Sequence, residues 1–358
     1  MMTLASRYVA ISALQAMVLV SAALTCLFSL LEFVEQLASV GQGSYHVIDA
    51  FIYVALTVPS RLLQVTPVSM LLGSLLALSG LSRNIELTAM LSLGIPERRI
   101  IGAVLALAAP AIILAFLTAE FIIPPAEQLA QSLRASALAS SSDASNEQSS
   151  FWAQSHHQYL NVQQFRRKGT PIGIDIYDFA DDGSLERAIH ASRADIKPDG
   201  TWLLGNVTRT SIEDFQMRTE HFAAMPWHSF IPLQQMQFLT LPLDSIPPIA
   251  LYRHIRDLDR QHQRNTRFRY EFWAKVAIPF SMVAMVVTAA PFVFGSVRAR
   301  STGRTLAIGV GFGIVFSLSQ QILSRMGLLL HVSPAITALA PPVLVFVLSI
   351  SLFRRAHR

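Results

Sequence analysis

Arginine is the residue type with the most chemistry to offer in this chain. Of 28 basic side chains only Lys168, Lys197 and Lys275 are lysines. A planar guanidinium fork holds phosphate or carboxylate bidentately, which an ammonium cannot do. Arg61 follows Val58-Pro59 at the start of an apolar run, and Arg134 follows another. A larger group, Arg253, Arg256, Arg260, Arg264, Arg267 and Arg269, lies in a polar stretch over 249–270, where Asp257 and Asp259 offset part of its charge. Such placements suit lipid phosphates at headgroup level. They equally suit arginines that snorkel to a membrane interface, or a solvated charged helix.

Catalytic chemistry finds little material. No Gly-Lys dipeptide occurs, so this sequence has no P-loop, and neither H-E-x-x-H nor G-x-S-x-G is present. His156-His157 has no partners at ligand spacing and reads as an exposed strand start. Cys26, the single cysteine, cannot form an intramolecular disulfide and reads as a small buried apolar side chain. Acids are almost absent from the apolar runs, Glu32 and Glu120 lying at their ends, so a proton relay is not expected. The reading is of a non-enzyme with no metal and no cofactor of its own.

One loop stands out, Arg83-Asn84-Ile85-Glu86-Leu87-Thr88-Ala89-Met90-Leu91-Ser92-Leu93-Gly94. It holds no breaker until Gly94 and Pro96, which predicts a short amphipathic helix. Asn84 would cap it, and Glu86 in the first turn would suit the dipole. Ile85, Ala89 and Leu93 share one face, with Glu86 and Met90 on an adjacent one. The helix could lie on a membrane surface or dock into a groove on a cytosolic partner.

The elements that position these residues are membrane spans. The chain has 358 residues, 52% hydrophobic and 14% charged, against about 25% charged in soluble domains. Six runs are free of charge: Val9–Leu31, Leu62–Ser82 (after an apolar approach segment, Val47–Pro59), Ile100–Ala119, Val276–Phe294, Thr305–Ser324 and Val332–Phe353. The first has 23 residues, about 35 Å of helix, enough to cross the hydrocarbon core. It is too long for a signal-peptide core, so no cleavable leader is expected. Pro67, Pro110, Pro279, Pro291, Pro341 and Pro342 fall inside spans, where neighbours can re-satisfy the freed carbonyls. Gly309, Gly311 and Gly313 in the fifth read as a close-packing face.

Orientation follows from the arginines. Arg7, the pair Arg98 and Arg99 with Arg83, the set Arg298, Arg300 and Arg304, and Arg354, Arg355 and Arg358 all fall on one side, while Glu32–His46 has no basic residue. The positive-inside rule puts both termini in the cytoplasm and the long segment after the third span outside.

That segment changes character. Ser140–Ser150 is a polar linker, and short alternating runs follow: His157–Val162, Ile172 to Ile176, Ala188–Ile196, Trp202–Val207, Thr208–Asp214, Gln216–Ala223 and Trp227–Ile231. Asp181-Asp182-Gly183 and Lys197-Pro198-Asp199-Gly200 supply turns. The pattern predicts an all-β jelly roll or sandwich. Its apolar side could fill an ordinary core or line a conduit. Residues 249–270 read as one charged helix leading into the fourth span. The expected division is thus 1–130 (three spans with the 83–94 helix), 131–248 (β-domain) and 249–358 (connecting helix and three spans).

Taken together, several motifs resemble the LptF/LptG family of lipopolysaccharide-export permeases. They are Phe33-Val34-Glu35-Gln36-Leu37, Gly41-Gln42-Gly43-Ser44-Tyr45, Val58-Pro59, Glu86-Leu87-x-x-Met90-x-x-x-Gly94, Phe272-Trp273-Ala274-Lys275 with Pro279, and Phe292-x-Phe294-Gly295 with Arg298. The Gly-Gln-Gly-Ser-Tyr segment favours the LptG branch.

The resemblance implies an α-helical inner-membrane protein with six transmembrane helices and a periplasmic all-β jelly-roll domain between helices 3 and 4. It implies an ABC-transporter permease without its own nucleotide-binding domain. ATP and Mg would be bound by an LptB-like ATPase dimer. Further partners would be an LptF-like permease, an LptC-like membrane protein and an LptA-like periplasmic bridge, with lipopolysaccharide as substrate. Arg83, Glu86, Leu87, Met90 and Gly94 would form the ATPase-coupling helix. Arg61 and Arg134 would meet lipid A phosphates, and Met17, Leu24, Phe28, Phe312 and Phe316 would line the acyl chamber. One departure is visible: basic residues are expected near the outer end of the first span, and Glu32, Glu35, Ala38 and Ser39 stand there instead. The charge would then be met elsewhere, with the 249–270 arginines as a candidate. A non-transporting scaffold, or a permease for another lipid or lipoprotein, remains open.

Overall fold

A computed structural model of the chain describes residues 4–138, 151–155, 158–166, 170–180, 184–196, 201–213, 216–228, 246–260, 265–294, 302–330 and 332–356. The Ser140–Ser150 linker, His156-His157, the two turns at 181–183 and 197–200, Asp214, Ile231, Arg264, Gly295, Arg298, Arg300 and Arg358 lie outside the described residues. Among the described residues six helices are long and apolar enough to cross a membrane, and a β-sheet is inserted between the third and fourth. The described residues form two compact units, one of Met1–Gly41, Tyr45–Arg134 and Leu243–Arg358, the other of Gln42–Ser44 and Ala135–Pro242.

In the helical unit, α1 is Leu4–Leu37 and α2 is Val47–Arg83. The segment expected as an approach to the second span is the opening of α2 itself, and Pro59 and Pro67 sit inside that helix. A short helix, α3 (Glu86–Ser92), follows α2. The third span, Glu97–Leu138, is jointed: it runs as α4 (Glu97–Leu105), α5 (Ala108–Leu117), a π turn (Thr118–Ile122) and α6 (Ile123–Leu138). Pro110 cannot donate to the Ala106 carbonyl and crowds it, which breaks α4 from α5. Pro124-Pro125 withhold two more donors, and the Ile123 amide reaches back five residues to Thr118, making the π turn.

The single helix expected over 249–270 is two, α7 (Pro248–Arg260) and the start of α8 (Thr266–Phe294). Asn265 and Arg269 clasp Asp259, the amide at 2.6 Å and the guanidinium at 2.7 and 2.9 Å. These hydrogen bonds, Asn265's first, hold the Asp259 carboxyl below its usual range. Helices α9 (Thr302–Leu330) and α10 (Pro334–Ala356) complete the set.

Hydrophobic residues cannot drive helices together inside lipid, so close packing and hydrogen bonds must do it. Thr288 on α8 meets Ser349 on α10 at 2.8 Å, and Gln320 on α9 donates to Ser281 on α8 at 3.3 Å. Gly309 and Gly313, one turn apart on α9, press against Leu75 and Val68 of α2, whereas Gly311 points into open space. Gly73 on α2 is the tightest approach: a Cβ there would lie 2.5 Å from the Met17 Cα.

The β-unit contains β1 (Phe151–Ser155), β2 (Gln158–Arg166), β3 (Thr170–Phe179), β4 (Leu185–Ile196), β5 (Thr201–Glu213) and β6 (Gln216–His228). The described strands form one antiparallel sheet in sequence order, each paired with the next. The two runs expected from 202 to 214 are one strand, in which Asn206 takes a φ of 53°. The runs beginning at Gln216 and Trp227 likewise merge into β6. Leu160, Ile174, Ile176, Ala191, Trp202 and Leu204 are buried on one face, and Trp202 stacks edge-on against Trp227 at 5.4 Å. Polar cross-strand pairs, Asp175 with His190 and Arg209 with Glu220, complete the ladder.

Gly73→Ala should lower thermal stability by about 1–3 kcal/mol, because α1 backbone must move to admit the methyl. Gly80→Ala, with open space around it, should leave the melting temperature in detergent unchanged or slightly raised. Equal melting of the two variants would show that α1 and α2 are not so closely docked.

Candidate functional site

Two groups of polar residues interrupt this apolar bundle. The first lies among α1, α2 and α6. On α2, helical spacing puts Tyr53, Thr57, Arg61 and Gln64 on one stripe, with Ser60 beside it; on α6 it aligns Glu127, Gln131 and Arg134. From α1 comes Glu32, 6% exposed. Arg61 grips it bidentately, Nε at 2.7 Å and the outer nitrogen at 2.8 Å. The Thr57 hydroxyl donates to the same carboxylate at 3.3 Å, and the remaining Arg61 nitrogen donates to Gln64 at 3.2 Å. Glu127, 9% exposed, accepts from Ser60 at 3.2 Å and Gln131 at 3.4 Å. Gln131 also donates to the Tyr53 hydroxyl. The Arg134 guanidinium lies 5.8 Å from the centre of the Tyr53 ring, and its buried Nε has no hydrogen-bond acceptor among the described residues.

The structure therefore separates the two arginines that sequence reasoning grouped. Arg61 is neutralised by Glu32, and Arg134 retains hydrogen-bonding capacity. Glu32, one of the residues standing where bases are expected at the end of the first span, has a cation of its own in Arg61. Glu127, Tyr53, Thr57 and Gln131 were not foreseen. The signal for them was available in the i, i+4, i+7 spacing of Glu127, Gln131 and Arg134 after a Pro-Pro step. Among the wider arginine group, Arg269 is occupied by Asp259 and Arg260 lies 3.8 Å from Asp257.

Most of the expected acyl-chamber residues are engaged inside the chain. Met17 and Phe316 are buried in the helical core, and Leu24 and Phe312 pack against it, Phe312 also facing Phe292 at 6.1 Å. Phe28 is exposed. Of the other four, Met17 packs directly over Gly73 of α2.

The second group is the α2–α4 corner. Asn84 does not cap α3. It ends α2, while its side-chain amide points at Glu86 at 3.4 Å, and Ile85 takes the cap position at φ 63°. That left-handed conformation is costly for a β-branched residue. At the other end Gly94, at φ 82°, closes a Schellman turn: its amide bonds Leu91 and that of Ile95 bonds Met90. Leu87 is buried in the helical core, with Met90 and Leu91 packed against it. Ile85 and Leu93 face outward, 68% and 82% exposed, with Ala89 exposed between them. Arg83, Arg98 and Arg99 are exposed around them, and Glu86 meets the Tyr8 side chain of α1. The corner thus has a fixed inner side and an apolar outer strip with charges at its rim.

The motif residues Gly41–Tyr45 have a structural use. The Ser44 amide and hydroxyl both donate to the Ala137 carbonyl, at 2.9 and 3.1 Å. Buried Tyr45 donates to Gln36 at 3.4 Å.

Residue by residue, removing one partner of the Glu32–Arg61 pair should be worse than removing both. Glu32→Ala alone should cost about 3 kcal/mol of stability by leaving a half-buried guanidinium unmatched. The double variant Glu32→Ala/Arg61→Leu should recover at least half of that in thermal melts, and additive losses would show that the two side chains are not coupled.

The profile of the family described as "Lipopolysaccharide export system permease LptF/LptG" matches residues 7–355. The chain is similar to the Lipopolysaccharide export system permease protein LptG of Haemophilus influenzae, with 30% identity over 96% of each chain. It is also similar to the protein of the same name from Escherichia coli K12, with 28% identity over 93% of this chain and 92% of the relative.

Proposed function

We infer from its place in the LptF/LptG family of lipopolysaccharide export permeases, to which this chain belongs, that it is the LptG-type half of an ATP-driven lipopolysaccharide extractor. It is a multi-pass membrane protein of the inner membrane, with both termini cytoplasmic and the β-unit periplasmic. It binds no nucleotide itself. An LptB-like ATPase dimer binds ATP and Mg and drives it, and an LptF-like permease completes the pathway. Lipopolysaccharide leaves the outer leaflet between the two permeases and passes to LptC-like and LptA-like partners. The clustering of Arg7, Arg83, Arg98, Arg99, Arg354 and Arg355 on one side supports this orientation.

The single observation that carries the reading is the two-sided α3 corner. Leu87 roots it in the bundle, and Ile85, Ala89 and Leu93 offer an apolar strip that no part of the described chain covers. A helix that merely floated on the membrane surface would not need a strained Ile85 and a Schellman turn to fix its angle. The strip and its rim charges, Arg83 and Glu86, suit a groove on a soluble ATPase, while Leu87, Met90 and Gly94 set the pose. In this reading Arg134 is the cation for a lipid A phosphate, because Arg61 is held by Glu32.

Glu86→Lys should abolish lipopolysaccharide transport in reconstituted vesicles while the protein still inserts and melts normally, because a cation replaces an anion at the docking rim. Glu86→Gln, which keeps the hydrogen bonds to Asn84 and Tyr8, should retain most activity. Full ATPase coupling in the Lys variant would remove the corner from the coupling role. Arg134→Asp should weaken photo-crosslinking to lipopolysaccharide about tenfold, and unchanged crosslinking would take Arg134 out of the substrate path.

A further inference from the structure

A groove of about 400 Å³ opens among α5, α7 and α8, with Leu63 of α2 at its floor. Its walls are built by helical repetition. On the third span Ile112, Ala115 and Ala119 form one stripe, and on α8 Lys275, Pro279 and Met282 form another. Ile249 and Tyr252 of α7 close one end. Among the described residues lining the groove, Lys275 is the only charged one, and it is already engaged within the chain. The base is buried at Met282 and Ala119, while the lips, Phe116, Phe280 and Tyr252, are about half exposed. Those lips belong to segments that cross or border the membrane, so the groove opens to lipid. An apolar recess of this size facing hydrocarbon is filled by hydrocarbon.

Its charged end is equally specific. Tyr252 stacks on Phe272 at 5.7 Å, and Phe272 meets Trp273 at 5.9 Å. Aromatic groups of this kind mark the headgroup level of a bilayer. Two carboxylates are near. Glu120 is bound to the Ile249 amide at 3.1 Å, at the start of α7. Glu271 stands one turn before Lys275 on α8. Phe272, Lys275 and Pro279 of the Phe272-Trp273-Ala274-Lys275 motif with Pro279, given no role by the coupling reading, line one wall of this groove.

We propose that the groove between α5, α7 and α8 binds an anionic glycerophospholipid, one acyl chain lying against Met282 and its headgroup phosphate on Lys275. A lipid with two chains suits a groove that takes one chain and leaves the other in the bilayer. A substrate with a larger cluster of chains would not enter. The site requires only that the chain sits in a membrane, so it stands or falls apart from the coupling reading.

The test uses the purified transporter in nanodiscs containing a phosphatidylglycerol with a diazirine on one acyl chain, against the matching phosphatidylcholine probe. Crosslinked peptides should map to α5 and α8, with phosphatidylglycerol preferred. Lys275→Gln should cut that preference about fivefold, the effect of one basic residue on an anionic headgroup, and leave the phosphatidylcholine signal intact. Ala115→Trp should fill the recess and abolish both signals. Crosslinks elsewhere, an unchanged preference in Lys275→Gln, or displacement of the probe only by lipopolysaccharide would each overturn the proposal.

Discussion

Glu32 is a buried carboxylate inside a largely apolar bundle, and that fact constrains everything near it. A buried charge must be matched or the fold gives way. Arg61 matches it with two hydrogen bonds, which fixes the rotation of α2 against α1. The same rotation brings Thr57 onto the carboxylate and turns Ser60 toward Glu127, so α6 is registered by the same stripe. Gly73 lies on the same pair of helices, where α2 backbone closes on Met17. One ion pair and one missing side chain together define how the first two spans meet.

This pairing also divides labour among cations. An arginine locked to a carboxylate offers little to a passing phosphate, whereas one that rests on a tyrosine ring keeps donors in hand. Arg61 is therefore an architectural residue and Arg134 a candidate for contact with substrate. The α3 corner is divided in a similar way, with Leu87 facing in and Ile85 and Leu93 facing out. In both places the structure distinguishes neighbours in sequence that look equivalent by type.

Much of this was legible beforehand. Uncharged runs of about 20 residues announce membrane spans because backbone in lipid has no other way to satisfy itself. Alternating runs with Gly, Pro and Asp turns announced the β-unit. The joints were harder. Pro110 and the Pro124-Pro125 step were visible, yet whether a proline kinks a helix, splits it or forces a π turn depends on neighbours far away in sequence. Asn84 looked like a cap because Asn often is one, but the preceding helix had already claimed it. Apolar side chains in a span carry no label saying whether they meet lipid, ligand or another helix; Met17 lies over Gly73 of α2, and Phe316 is buried in the helical core. The Glu32–Arg61 pair joins residues 29 apart, beyond any local pattern.

Pro59 and Pro67 bracket Arg61 on α2 by two residues before and six after. Each removes a rung from the hydrogen-bond ladder of this 37-residue helix, freeing the carbonyls of Ala55 and Leu63. Arg61 stands between those two carbonyls, so the guanidinium that grips α1 is carried on the stretch of α2 whose own backbone is least bonded.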